Sequence, residues 1–234
     1  MSFLSLPNEI LVKIFSFLNI QDRCKFRRVS SRFYDLAFLV PTFGMTVSGV
    51  NGGKTLEYLL PKIGSDLKEI CIENLEINLS INDHLRLICS TCPTLLKFEL
   101  KNLRIEARTW AFLCIQFGRL NSLEELIVQN CFEEMPIIPF LDTLTKLKTF
   151  RFSSLHVVNS IQWLFGWNQS VGVKNLHLNC VLDIPGEEAI VFRKFKNLEL
   201  FEFRVKKRDL FLQITRNLPL RIAKLIKMES CLQN

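Results

Sequence analysis

From about residue 40 onward the chain repeats one arrangement of apolar positions. Read from Leu67, LKEICIENL has apolar residues at places one, four, six and nine, and LLKFELKNL, read from Leu95, has the same spacing. Further copies begin at Leu123 (LEELIVQNC), Leu147 (LKTFRFSSL), Val173 (VKNLHLNCV), Leu198 (LELFEFRVK) and Ala223 (AKLIKMESC), with a degenerate copy, VPTFGMTVS, at Val40. Successive starts lie 27, 28, 28, 24, 26, 25 and 25 residues apart. Alternation across a short strand turns the fourth and sixth residues inward, while the third, fifth and seventh line the opposite face. A unit of this size cannot bury its apolar side alone, so neighbours stack into a solenoid.

The segments between strands have room for helices. Residues 81–93 offer Asn82 or Asp83 as a cap, 104–118 carry Trp110, Leu113 and Phe117 at helical spacing, and 185–195 open with Pro185 and two acids. Pro136 and Pro139 make 132–146 an irregular turn followed by a short helix. Strand then helix, repeated, predicts an α/β horseshoe with a parallel sheet along its concave side.

The first 38 residues follow a different period. LPNEILVKIFSFL predicts a helix over 7–18 that opens at Pro7, and 20–29 and 31–38 predict two more, with Asp22 and Ser30 near their starts. On the first helix Phe17, Ile10, Ile14, Leu18, Leu11 and Phe15 cover an arc of about 160°, wider than the roughly 100° a surface helix needs. The excess implies two things to pack against. So small a unit also needs a partner or its own repeat domain to complete a core.

Charge and composition narrow the function classes. At 48% hydrophobic and 23% charged the chain has the balance of a folded protein, and no apolar run is long enough to span a bilayer. The N-terminus lacks a basic n-region, with Glu9 and Pro7 interrupting any h-region, so no signal peptide is expected. Eight cysteines lie in apolar stretches and read as buried free thiols; Cys89 and Cys92 have no second ligand pair, so neither zinc nor any other cofactor is expected. The net charge of +7 gathers at one end, with eleven basic and three acidic groups between 193 and 227. That cluster suggests an alternative, nucleic-acid or acidic-partner binding, weakened because Phe201 and Phe203 beside it hold inward repeat positions. A nucleotide-binding reading rests on SGVNGGKT at 48–55, where Gly49 stands one residue too near Gly53-Lys54-Thr55 for a phosphate loop. A glycine-rich junction between the helices and the repeats accounts for it better.

Leu6-Pro7-x-Glu9-Ile10-Leu11-x-x-Ile14-Phe15-x-Phe17-Leu18, then Asp22-Arg23, then Arg27-x-Val29-Ser30-Ser31-Arg32-Phe33, together resemble the F-box family, with Phe33 where the family often has Trp. The period and the form L-x-x-L-x-L-x-x-N/C at LEELIVQNC and AKLIKMESC resemble leucine-rich repeats. The resemblance implies an F-box over 1–38 and about seven repeats over 39–234, the arrangement of substrate adaptors in SCF ubiquitin ligases, working in cytoplasm or nucleus. It implies a non-catalytic protein whose F-box binds a Skp1-type adaptor, and through it a cullin-RING ligase, while the repeats capture a target. By position, Leu6, Pro7, Ile10, Leu11, Ile14, Phe15, Leu18 and Val29 would contact the adaptor. The expected target surface is the concave face: Glu69, Glu73, Lys97, Glu99, Lys101, Glu125, Gln129, Arg151, Asn175, His177, Arg204 and Lys227. His177, between Asn175 and Asn179, is expected to be exposed there.

Overall fold

The computed structural model describes residues 5–26, 28–40, 42–75, 81–103, 105, 116–131, 139–205, 207–218 and 224–226. Three helices come first: α1 (Asn8–Ser16), α2 (Ile20–Phe26) and α3 (Ser31–Leu39). Pro7, at φ −56°, stands just before α1, and its carbonyl accepts from the Leu11 N–H. At the head of α2, Asn19 and Asp22 cap each other, the Asp22 N–H donating to Asn19 Oδ1 at 2.8 Å and the Asn19 amide to Asp22 Oδ2 at 2.8 Å. Ser30 caps α3 by accepting from the Phe33 N–H at 3.2 Å. Leu11, Phe15, Phe33, Leu36 and Val40 form a small core among these helices, with Phe15 edge-on to Phe33.

Eight strands follow in one parallel sheet, in sequence order: β1 (Gly44–Ser48), β2 (Glu69–Glu73), β3 (Lys97–Lys101), β4 (Glu125–Gln129), β5 (Thr149–Ser153), β6 (Asn175–Leu182), β7 (Leu200–Val205) and β8 (Lys224–Ile226). In each of β2 to β5 the fourth and sixth residues of the unit are buried and the flanking ones are not. The buried row packs on α4 (Gly52–Ile63), α5 (Ile81–Thr91) and α6 (Arg208–Asn217), through Leu56, Leu59, Leu85, Ile88, Leu210 and Ile214 among others. Helix α5 begins at Ile81, so Asn82 and Asp83 lie in its first turn and not before it. The helix expected over 185–195 is instead 3₁₀ across Gly186–Lys194, and 3₁₀ turns also serve at Pro139–Thr143 and Gln162–Leu164. Trp110 and Leu113 fall outside the described residues; Phe117 is buried beneath Phe98.

Two units differ in register from the sequence alignment. An alignment from Val40 turns Phe43 inward, but Met45 pairs with Ile70 and Val47 with Ile72, so the first unit starts at Thr42 and Phe43 is 67% exposed. The turn residues agree: Gly49, Asn74, Asn102 and Asn130 all have left-handed φ, at 75°, 49°, 51° and 52°, and each is eighth in its unit. Glycine and asparagine bear that conformation with little strain. Gly49 is therefore a repeat turn, and SGVNGGKT joins β1 to α4 inside the first unit, where a Cβ on Gly52 would sit 2.1 Å from Leu75 Cδ2. At the other end Leu225 pairs with Phe201 and Ile226 with Glu202, one residue out from the alignment begun at Ala223.

The helical unit and the repeats share a buried polar joint. Arg23, on α2, is 4% exposed and donates to Val40 O at 2.8 Å, Ala37 O at 3.5 Å and Thr42 Oγ1 at 3.0 Å. A second joint sets Lys62 of α4 over the rings of Tyr34, Phe38 and Tyr58, with the Tyr58 hydroxyl donating to that of Tyr34 at 2.9 Å. Ile20 lies in the repeat core, with Cys24 and Phe38 packed against it. Replacing Arg23 by Ala strands two carbonyls and a hydroxyl, and is expected to lower the unfolding free energy by about 2–4 kcal/mol in urea titrations. Exposed Arg193→Ala is expected to stay within about 0.5 kcal/mol.

Candidate functional site

The wide apolar arc of α1 divides by burial. Leu11 and Phe15, at its inner end, are fully buried in the core of the three helices, so they hold α1 in place. This corrects the expectation that both contact a partner directly. Leu6, Ile14 and Leu18 are half-buried against the same core, Pro7 is exposed, and Ile10, Phe17 and Val29 are 45%, 80% and 55% exposed. Helical steps of about 100° set Phe17 and Ile10 side by side at the outer end of the arc. Arg32 fixes this end of α1, its guanidinium donating to Asn8 Oδ1 at 2.7 Å and to Leu6 O at 2.6 Å.

The comparison with known families decides what this helical unit is. Residues 3–39 form an F-box-like domain. No curated protein matches the chain. Within the F-box-like domain the paired motif residues Asp22 and Arg23 now have separate tasks: Asp22, in the first turn of α2, donates its N–H to the capping Asn19 and accepts from that residue's amide, and Arg23 crosses to the repeats.

The second surface is the sheet face turned away from the helices. Register places Glu69, Lys97, Glu125, Thr149 and Asn175 in one row, Cys71, Glu99, Ile127, Arg151 and His177 in the next, and Glu73, Lys101 and Gln129 in a third. Arg204 is exposed opposite Val181, because β6 shifts register between Leu178 and Val181. Lys227 lies outside the described residues. His177 is 3% exposed, contrary to expectation, because Glu202 on β7 bonds its Nδ1 and covers the ring. The pairing was within reach of the alternation, since Glu202 holds the fifth place of the next unit, as His177 does of its own.

Ion pairs organise the face. Glu99 takes Lys97 at 2.6 Å on one oxygen and Lys101 on the other. Burial works against its ionisation, but the hydrogen bonds from Lys101 and Lys97 outweigh it and hold the carboxyl below its ordinary 4.5. Farther along, Arg151 Nε donates to Glu125 Oε1 at 3.1 Å, and the Asn175 amide to Thr149 Oγ1 at 3.0 Å.

The remaining candidates take structural places. Burial pushes the Cys89 and Cys180 thiols up to about 12 and Cys131 up to about 11, and Cys131 Sγ donates to Leu100 O at 3.2 Å. Among the described residues no three His, Cys, Asp or Glu side chains gather as a metal site, and no helix is long and apolar enough to cross a membrane. Phe201 and Phe203 are buried and stacked on each other at 4.6 Å, so they offer no platform for bases.

Two outcomes follow from the division of α1 and from the Glu99 triad. Leu11→Ala is expected to cost about 2–5 kcal/mol in urea titrations, whereas Ile10→Ala changes stability by less than about 1 kcal/mol. Because the Glu99 pKa is lower folded than unfolded, its contribution is present above pH 4.5 and is lost as pH falls through the folded value. Wild type is therefore expected to lose more stability than Glu99→Gln between pH 6 and about pH 3 in parallel denaturation series.

Proposed function

We propose that this protein is the substrate-recognition adaptor of an SCF ubiquitin ligase, a non-catalytic bridge acting in cytoplasm or nucleus. The F-box-like domain docks on a Skp1-type adaptor, and through it on a cullin-RING ligase; the sheet is a leucine-rich-repeat solenoid that captures the target for ubiquitin-dependent degradation. The observation that carries the reading is the exposed Ile10–Phe17 edge of α1, held on a buried core within a segment that matches the F-box-like family. Pro7, Leu6, Ile14, Leu18 and Val29 supply the remainder of that docking surface, since each keeps solvent-facing area. The repeat reading is supported by the eighth-position turns and by Cys131 at the ninth, where a small donor reaches back to the preceding strand.

The test is capture of purified Skp1 by the intact chain and by an Ile10→Asp, Phe17→Asp variant. The intact chain is expected to retain Skp1, and the variant to bind it at least about tenfold more weakly, a loss of roughly 1.4 kcal/mol or more. Both positions are exposed, so the variant's melting temperature should stay within a few degrees of wild type. Failure of the intact chain to bind Skp1 overturns the assignment.

A further inference from the structure

The docking surface is assembled from two separate stretches of chain. Leu6, Pro7 and Ile10 come from the start of α1, and Val29 comes from the turn between α2 and α3. Burial accounts for how the middle of α1 is held, since Leu11 and Phe15 lie in a core with Phe33 and Leu36. It does not account for the first turn.

That turn lacks the usual means of staying in place. No side chain caps α1 among the described residues: Pro7 precedes it and has no oxygen on its side chain to offer the first amides. The hydrogen-bond ladder begins at the Leu11 N–H, which donates to Pro7 O, so the Leu6 carbonyl lies outside it. Leu6 is half-buried, and Pro7, Asn8, Glu9 and Ile10 are all exposed. A helix end with neither a cap nor a buried anchor frays unless something beyond the helix holds it.

Arg32 supplies the hold from α3. Its Nε donates to Asn8 Oδ1 at 2.7 Å and a terminal nitrogen donates to Leu6 O at 2.6 Å, so one planar group grips the chain on both sides of Pro7. Arg32 is itself well anchored. It lies in the first turn of α3, beside Phe33, whose N–H donates to the capping Ser30 and whose ring is edge-on to Phe15 in the core. The same two bonds bring the turn that carries Val29, three residues before Arg32, to the end of the helical unit where Leu6, Pro7 and Ile10 stand. Phe17 is fixed differently: it follows buried Phe15 at the other end of α1, and its N–H donates to Ile14 O.

We infer that Arg32 is a positioning residue for docking of the Skp1-type adaptor, setting Leu6, Pro7 and Ile10 against Val29 as one surface while leaving Phe17 to the core. The partner rests on the adaptor reading; the hold on the first turn belongs to the free chain.

Hydrogen exchange on the free, full chain reads that hold directly. In Arg32→Gln the Leu11 amide is expected to exchange at least about tenfold faster, while the Leu18 amide, bonded to Phe15 O, stays within about twofold and the melting temperature falls by no more than a few degrees. Purified Skp1 is expected to bind Arg32→Gln at least about tenfold more weakly, chiefly through faster dissociation. Arg32→Lys, which gives up the fork, recovers part of the loss. Double-mutant cycles separate positioning from general loosening of the helix. Ile10→Ala and Val29→Ala are each expected to cost severalfold less affinity in the Arg32→Gln background than in wild type, and Phe17→Ala to cost the same in both. Asn8→Ala, an exposed change that removes one acceptor, is expected to repeat the pattern more weakly, so the outcome does not hang on the folding of one variant. Unchanged exchange at Leu11, Skp1 affinity untouched by Arg32→Gln, or equal coupling to Ile10 and Phe17 each overturns the inference. A chain that shows the exchange pattern but does not hold Skp1 overturns the adaptor reading and the partner named with it; one that holds Skp1 equally well with and without Arg32 overturns the positioning role alone.

Discussion

Arg23 is the residue on which the arrangement of the two parts depends. Its guanidinium sits in the interior where α2, the end of α3 and the start of the first repeat meet, bonded to two carbonyls and a hydroxyl. Burial draws its pKa below the ordinary guanidinium value, yet arginine stays charged in proteins, so the site must supply acceptors. The acceptors are ones that α3 leaves open: Ala37 O and Val40 O at its C-terminal end, where a cation also meets the negative end of the helix dipole. Thr42 adds the third. A planar fork of donors reaches all three acceptors at once, which the single ammonium of a lysine does not.

That joint explains how three short helices make a stable unit. Their own core is small, but Ile20, Cys24 and Phe38 extend the core of the repeats, and the Tyr34–Tyr58–Lys62 contact ties α3 to α4 at a second point. Two separate attachments fix an orientation where one would leave a hinge. The exposed edge of α1 and the open face of the sheet are consequently held at a set relation, and a cleft on β1–β3 is walled by the same α1–α2 turn that begins helix α2.

Much of this could be read in the sequence, and the failures have physical causes. Period-two burial at the fourth and sixth places gave six of the strands and their shared face, because nothing else in these units competes with that alternation. The first unit hides its start because its leading position is Thr42, a polar residue that accepts from Arg23, while Val40 offers an apolar start and exposed Phe43 an apolar fourth place. The same device hides the role of Gly49, whose left-handed turn looks like part of a phosphate loop until the register is known. On α1, helical spacing measured the apolar arc but carried no information on which end faces inward. Only the packing of Leu11 and Phe15 on Phe33 and Leu36 decides it. The burial of His177 is not legible in its own unit, because its partner is Glu202, a residue 25 positions away.

The sheet's two faces also differ along its length. On the helical side, α4 and α5 cover β1 to β3 with leucine and isoleucine, while beyond β4 the layer is largely 3₁₀ turns filled by aromatic rings, among them Phe150 on Trp167 at 5.5 Å and Phe192 on Phe201 at 4.8 Å. A 3₁₀ turn presents fewer side chains per unit length than an α-helix, so larger ones fill the same depth. The open side changes at a similar place, from the dense charges of β2 and β3 to hydroxyls and amides at Thr149, Ser153, Asn175 and Asn179. Because backbone register is continuous across this change, the face can vary its chemistry without disturbing the core. Inward positions alone are constrained by packing, and the outward ones are free to vary in charge. The charged end lies against the F-box-like domain, where Asn19 and Ile20 wall the cleft that crosses β1 to β3, so the densest charge of the face meets the helical unit.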